Sequence, residues 1–228
     1  MPLGPYDSCR LIASNLYSTV RDPFTENARI DHDKAYSIFY ETQVLADIFI
    51  DLELEAVDRI LTKIQPEYLK ISERIHTDDP ELSHDWLNQQ SDEFKLWWKV
   101  REIGSKGRRT GTGITGYADM LAALGKNYGD SEVTDEIFKL KLKAELDAST
   151  DLAILHGAFP IWDRDKEMSL MSEGEGGLPV KDGETYMLSG TNKWYNFLLK
   201  TYPEQAIKMY NYGRRNSGLS LAALNSNI

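Results

Sequence analysis

The sequence predicts a helix-rich α/β chain with only a few short strands, and three observations carry that reading. Long segments repeat their apolar residues at helical spacing. Strand-like runs are confined to the two ends of the chain, and a glycine-dense stretch interrupts its middle. The 228 residues are 41% hydrophobic and 27% charged, with 12 Tyr, 7 Phe and 5 Trp. That is enough apolar mass for a sizeable core, and it excludes a disordered polymer.

Taken in order, Pro2, Gly4 and Pro5 break any opening helix. Residues 8–13 then lead into Leu16 and Tyr17 as a short, mostly apolar strand, and Pro23 forces a connection. Asp33 is the expected N-cap of a long helix from Lys34. Ile38, Leu45, Ile48, Phe49, Leu52, Val57, Ile60 and Leu61 are expected to form one broad buried stripe, and Pro66 is its expected stop or kink. Residues 72–103 are polar and Trp-rich (Trp86, Trp97, Trp98), with a second helix over 92–101. The glycine-dense stretch, 104–116, reads as a turn that opens a short helix over 117–124, closed by Gly125.

Ser131 is the expected cap of the clearest helix, whose stripe is Val133, Ile137, Leu140, Ala144, Leu152 and Leu155. His156 falls in its last turn and Gly157 at the position that ends helices. Residues 163–191 hold Gly174, Gly176, Gly177, Gly183 and Gly190 and few large apolar residues, which predicts a long mobile loop. Two more helices are expected over 192–199 and 203–212, with Gly213 ending the second, and a last strand over 217–223. Strands near Cys9 and Leu219 are too few and too far apart to make a self-sufficient sheet. An unpaired strand at each end is a template for another chain, so the architecture reads as incomplete.

Composition narrows the function classes. Twenty-six Lys and Arg against 36 Asp and Glu leave a net charge of −10, which repels phosphate backbones and argues against a nucleic-acid partner. No apolar run reaches the roughly 18 residues of a membrane span, and residues 1–10 lack the basic and apolar regions of a secretory signal. A lone cysteine, Cys9, fits a reducing, cytoplasmic setting.

Asp51, Glu53, Glu55 and Asp58 lack an accompanying Glu-x-x-His pattern, so they read as a solvated or ion-paired face with Arg59 and Lys63 in reach, not a metal site. His32, His76, His84 and His156 show no metal spacing. No metal ligand or cofactor-binding residue is expected on this chain. Gly111-x-Gly113-x-x-Gly116 matches the dinucleotide fingerprint as a string, but residues 104–109 cannot supply the apolar strand that must precede it. A tight structural turn is the expected role, with a dinucleotide-dependent oxidoreductase as a weaker alternative. Lys106, Arg108 and Arg109 form the one basic spot, a solvated turn unless an anion or acidic surface sits there. Cys9 reads either as an inert small residue or, with Arg10 beside it favouring thiolate, as a redox sulfur. Any disulfide it forms must borrow its second thiol from another polypeptide.

Several blocks resemble the catalytic (large) subunit of ribonucleotide reductases, in its C-terminal barrel region. They are Pro5-Tyr6-Asp7-Ser8-Cys9-Arg10-Leu11, Arg21-Asp22-Pro23-Phe24-Thr25, and Asp51-Leu52-Glu53-Leu54-Glu55-Ala56-Val57-Asp58-Arg59-Ile60. The strongest is Gly107-Arg108-Arg109-Thr110-Gly111-Thr112-Gly113-Ile114-Thr115-Gly116-Tyr117-Ala118-Asp119-Met120-Leu121 and on to Gly125. Lys143-Ala144-Glu145-Leu146, Gly157-Ala158-Phe159 and Tyr212-Gly213-Arg214-Arg215-Asn216-Ser217 follow in the family's order.

The resemblance implies part of a ten-stranded α/β barrel, with residues 1–228 as a single partial barrel domain. It also implies that Cys9 matches one of the two cysteines that reduce the ribose 2′ carbon and are oxidised to a disulfide. The family's Asn-x-Cys-x-Glu loop, with its thiyl-radical cysteine, and its Pro-Thr-Gly-type phosphate loop have no counterpart in this sequence. The expectation is therefore a fragment of a split reductase, inactive alone and completed by companion fragments. The full assembly would hold a radical generator, either a metal-bearing subunit or adenosylcobalamin, and draw on a thioredoxin-like reductant. The alternative is a non-catalytic remnant or assembly module of the same fold.

Overall fold

A computed structural model describes residues 5–75, 84–164, 181–182, 185–186 and 193–219. The chain enters through β1 (Arg10–Asn15) and a single 3-10 turn (Leu16–Thr19), which Asn15 caps by accepting the Tyr17 N–H. A two-residue antiparallel pair, β2 (Val20–Arg21) and β3 (Arg29–Ile30), leads to the long helix α1 (His32–Ile75). Helix α2 (His84–Gly107), β4 (Thr110–Thr115), α3 (Tyr117–Ala123) and α4 (Ser131–His156) follow. Then come the small pair β5 (Lys181–Asp182) and β6 (Thr185–Tyr186), and helices α5 (Lys193–Thr201) and α6 (Pro203–Tyr212). The helix-rich α/β character expected from the sequence is the architecture observed. Among the described residues, no helix is long and apolar enough to cross a membrane.

Four expectations change. Helix α1 starts two residues early and is capped by Asp31, whose carboxylate accepts the Lys34 N–H, rather than by Asp33. Pro66 neither stops nor ends α1, which continues to Ile75. Packing of the distal turns against α2, with Tyr68 stacked on Phe94 at 4.3 Å, offsets the lost backbone bond. Helix α2 is longer than 92–101 and absorbs Gly104 and Gly107 into its last turn. Asp130, not Ser131, caps α4 by accepting the Val133 N–H at 3.1 Å.

The largest difference is β4. The segment expected as a tight turn is a strand, parallel to β1, with Leu11 opposite Gly111 and Ala13 opposite Gly113. Thr110, Thr112 and Ile114 alternate β-branched side chains with glycine, a pattern that suits a strand with one crowded face. The first strand is therefore not alone. Beyond β4, the N–H groups of Thr110 and Thr112 donate to the carbonyls of Gly218 and Leu219 at 3.3 and 3.0 Å. The expected last strand is reached only in part, since 220–223 lie outside the described residues. Of the 163–191 loop, only 163–164, β5 and β6 are described.

One face of the β1–β4 pair is covered by α1 and α4. Ser14 meets Thr42 at 3.0 Å, Gln43 donates to Thr110 at 2.9 Å, and Lys141 donates to the Thr112 carbonyl at 2.8 Å. One core joins Leu16, Phe39, Met120, Leu121 and Ile137 between the 3-10 turn, α1, α3 and α4. A second joins Leu146 of α4 to Tyr195, Leu198, Tyr202 and Met209 of the last two helices and to Leu219. Burial of these side chains against one another holds the C-terminal helices on α4.

Candidate functional site

Cys9 stands one residue ahead of β1 and is half-buried. Strand side chains alternate, and Arg10, Ile12 and Ser14 belong to the row whose Ser14 meets α1. Cys9 continues the other row, with Leu11 and Ala13, and Leu11 is 64% exposed. Two ion pairs frame the thiol. Asp7 pairs with Arg109 at 2.5 Å, and Arg10 pairs with Glu53 of α1. Burial pushes the Cys9 thiol above its ordinary pKa; Arg10 and Arg109 pull it down, and Asp7 adds to the rise. The net direction is up. The neighbouring Arg10 does favour thiolate, as its charge suggests, but desolvation outweighs it.

Behind β4 lies a buried polar hub that the sequence reading did not foresee. Arg108, only 5% exposed, donates through Nη2 to Asp47 at 2.9 Å and through Nη1 to Asp51 at 2.7 Å. Asn216 donates to Asp47 at 2.7 Å and accepts from Gln43 at 2.9 Å and from Ser149 at 3.0 Å. Arg215 adds a second cation 3.5 Å from Asp47. Every one of these buried groups finds a partner, as a low-dielectric interior demands. Arg108, Arg215 and Asn216 lie in blocks that stood out in the sequence. Gln43 and Ser149 carried no signal there, because their partners are 67 or more residues away in the chain.

The hub corrects two readings. The basic spot is not a solvated turn or a free anion site, since Arg108 is consumed by Asp47 and Asp51, Arg109 by Asp7, and Lys106 by Glu102 at 2.6 Å. The acidic run on α1 is ion-paired as expected, but not through Arg59 and Lys63. Asp51 takes Arg108, Glu53 takes Arg10, and Asp58 takes Arg101, all from other segments. Among the described residues, no group of three or more His, Cys, Asp and Glu is placed to hold a metal ion.

The dinucleotide alternative fails on geometry. Gly111 and Gly113 sit inside β4, where their N–H groups belong to the ladder with β1 and cannot cradle a pyrophosphate. Gly116 has φ +67 and leads into α3; a Cβ there would lie 2.3 Å from the Asn15 side-chain oxygen, so its glycine is a packing requirement.

No curated protein matches the chain. The family model of the ribonucleotide reductase barrel domain matches residues 6–223, a span that takes in Cys9, both strands, the hub and the segment bonded to β4. With nearly the whole sequence matched and a helix-flanked parallel strand pair at its centre, the chain belongs to the ribonucleotide reductase family as a barrel-domain member.

Proposed function

We propose that this chain is one part of a split ribonucleotide reductase catalytic subunit, and that it supplies one of the two sulfurs that reduce the ribose. The observation that carries the reading is the position of Cys9: it is the sequence's only cysteine, it lies within the matched barrel span, and it heads the open row of β1. Reduction of a ribonucleotide by a dithiol converts a C2′–OH and two thiols into a C2′–H, one water and one disulfide. One cysteine supplies half of those electrons, and in this reading a companion chain supplies the second sulfur.

Burial raises the Cys9 pKa, a direction that favours the thiol form whose hydrogen a dithiol reduction consumes. Ion pairs of Asp7 with Arg109 and of Arg10 with Glu53 hold the segment around Cys9 at the start of β1. The radical generator, a metal-bearing subunit or adenosylcobalamin on a partner, supplies the one-electron oxidation that initiates the chemistry. A thioredoxin-like dithiol reduces the product disulfide for the next turnover. In this reading the assembly works in the cytoplasm.

The test is to mix the purified chain with companion chains carrying the radical-cysteine and phosphate loops, add the generator and a dithiol, and measure deoxyribonucleotide. Activity is expected only in the complete mixture, and Cys9→Ser is expected to abolish turnover without preventing assembly. Reduction at the wild-type rate by the serine variant would refute the catalytic role. Burial of the Cys9 thiol also favours a second reading, a non-catalytic assembly module. A Cys9 that never enters a disulfide under oxidising conditions in the assembled complex supports that reading instead.

A further inference from the structure

The segment that carries Cys9 is fastened to Arg109 twice. Through the backbone, the Arg10 N–H donates to the Arg109 carbonyl at 3.3 Å. Through side chains, Asp7 Oδ2 pairs with Arg109 Nε at 2.5 Å, while Asp7 Oδ1 accepts the Ser8 N–H at 2.9 Å. One carboxylate, its side chain only 6% exposed, thus ties the arginine to the residue that precedes the cysteine. Arg109 is itself held on both sides: Arg108 before it is anchored in the buried hub, and Thr110 after it belongs to β4.

The backbone is strained where this link is made. Tyr6 and Arg108 have φ of +64 and +42, and each stands immediately before one partner of the Asp7–Arg109 pair. Side chains other than glycine's hold such conformations only where the surroundings impose them, and functional sites are where they gather. The charged groups around the segment are Asp7 and Arg10 on either side of Cys9, Arg109 ahead of β4, and Glu53 of α1, which takes Arg10. Lys99 of α2 stands farther out, 5.1 Å from the centre of the Tyr6 ring. Burial raises the Cys9 pKa; Arg10 and then Arg109 act against it, and Asp7 adds to the rise.

We propose that Arg109 is a positioning residue for Cys9: clamped by Asp7, it holds the cysteine segment at the start of β1 and keeps a compensating positive charge beside the sulfur. The role rests on the redox reading of Cys9 above. When a dithiol reopens a disulfide made by Cys9, one new S–S bond forms, the old one breaks, and one sulfur departs as a thiolate. A half-buried Cys9 that departs in this way needs a cation at hand, because desolvation opposes its charge. Arg10 also lies beside the sulfur, but its guanidinium is turned to Glu53 and, at 2.8 Å, to Ser8 Oγ. Arg109 alone joins the charge to a fixed post in the sheet.

The experiment follows alkylation of Cys9 by iodoacetamide, an uncharged probe, across pH in the full chain without companions. Arg109→Gln is expected to move the half-maximum upward from wild type by about half a pH unit or more. Arg109→Lys keeps the charge but not the fork, and is expected to move it less. A control, Arg101→Gln, removes a cation that pairs with Asp58 from α2, and is expected to keep the wild-type profile. If Arg109→Gln loses the wild-type circular dichroism, Asp7→Asn takes its place, and the Arg10 amide is then expected to lose hydrogen-exchange protection as its bond to Arg109 loosens. A profile for Arg109→Gln that matches wild type, or one that Arg101→Gln shifts equally, overturns the positioning role, as does unchanged Arg10 protection in Asp7→Asn. Any of these leaves the split-reductase reading intact, because no companion chain takes part. A shifted profile beside a reconstituted mixture in which Cys9→Ser turns over as wild type supports the electrostatic hold and overturns the redox reading alone.

Discussion

Replacing Asp47 by alanine strands the Arg108 guanidinium inside the protein, with only Asp51 left to balance it, and also removes an acceptor from Asn216. Breaking a buried pair from one side costs about 3–5 kcal/mol, and urea unfolding at neutral pH is expected to show a loss in that range. Asp147 behaves differently. Burial acts to raise its pKa, yet hydrogen bonds from Lys143, Gln205 and Tyr36 outweigh it and hold the carboxyl below its usual range. The native state therefore prefers the ionised form: this stabilisation is complete above the unfolded carboxylate pKa of about 4 and is lost as pH falls through the lower folded value. Urea midpoints measured from pH 5 downward are expected to fall more steeply for wild type than for Asp147→Asn. For Cys9 the sign is the reverse of an activated nucleophile. Its alkylation rate in the isolated chain is expected to reach half-maximum at a higher pH than that of an unburied thiol. Cys9 itself was legible in the sequence; the balance of burial against Arg10 and Arg109 was not, because burial belongs to the fold rather than to neighbours in the chain.

The closing glycines of α4 and α6 were read correctly, but the cap of α4 and both ends of α1 were not, and the α1 stripe expected to be buried leaves Leu45, Ile48, Phe49 and Leu52 about half exposed. Helix α4 has Asp130 and Gly157 at its ends, and α6 begins with Pro203 and stops at Gly213. Gly213 has φ +76, and a Cβ there would lie 2.7 Å from the Ala158 side chain. Gly213→Ala is expected to lower stability by about 1–3 kcal/mol in thermal unfolding. Strand β4 escaped detection because alternate positions are glycine, which erases the hydrophobic alternation by which strands are found. Pro66 misled for the opposite reason: its local cost is real, but α2 supplies the packing that keeps α1 continuous. Pro66→Ala is expected to raise the melting temperature, worth up to about 3 kcal/mol, while leaving the helical signal per molecule the same or higher.

At the level of the whole molecule, family membership was legible because the blocks that build the hub and the strand pair retain a recognisable order. What those blocks do for one another was not. Asp47, Arg108 and Asn216 are 61 and 108 residues apart in successive steps, and only the folded chain shows that they meet. The strands expected to stand unpaired at the two ends are joined through a member the sequence hid: among the described residues β1 has one neighbour, β4, and β4 bonds on its other side to the segment at 218–219.

The Asn216 junction has a practical outcome for handling the protein. Residues 193–219 are fastened to α1, β4 and α4 by hydrogen bonds and by the Tyr195–Met209 cluster, none of which depends on an unbroken backbone through 165–192. A protease nick introduced there should yield two peptides on a denaturing gel that still elute together as one species from a sizing column.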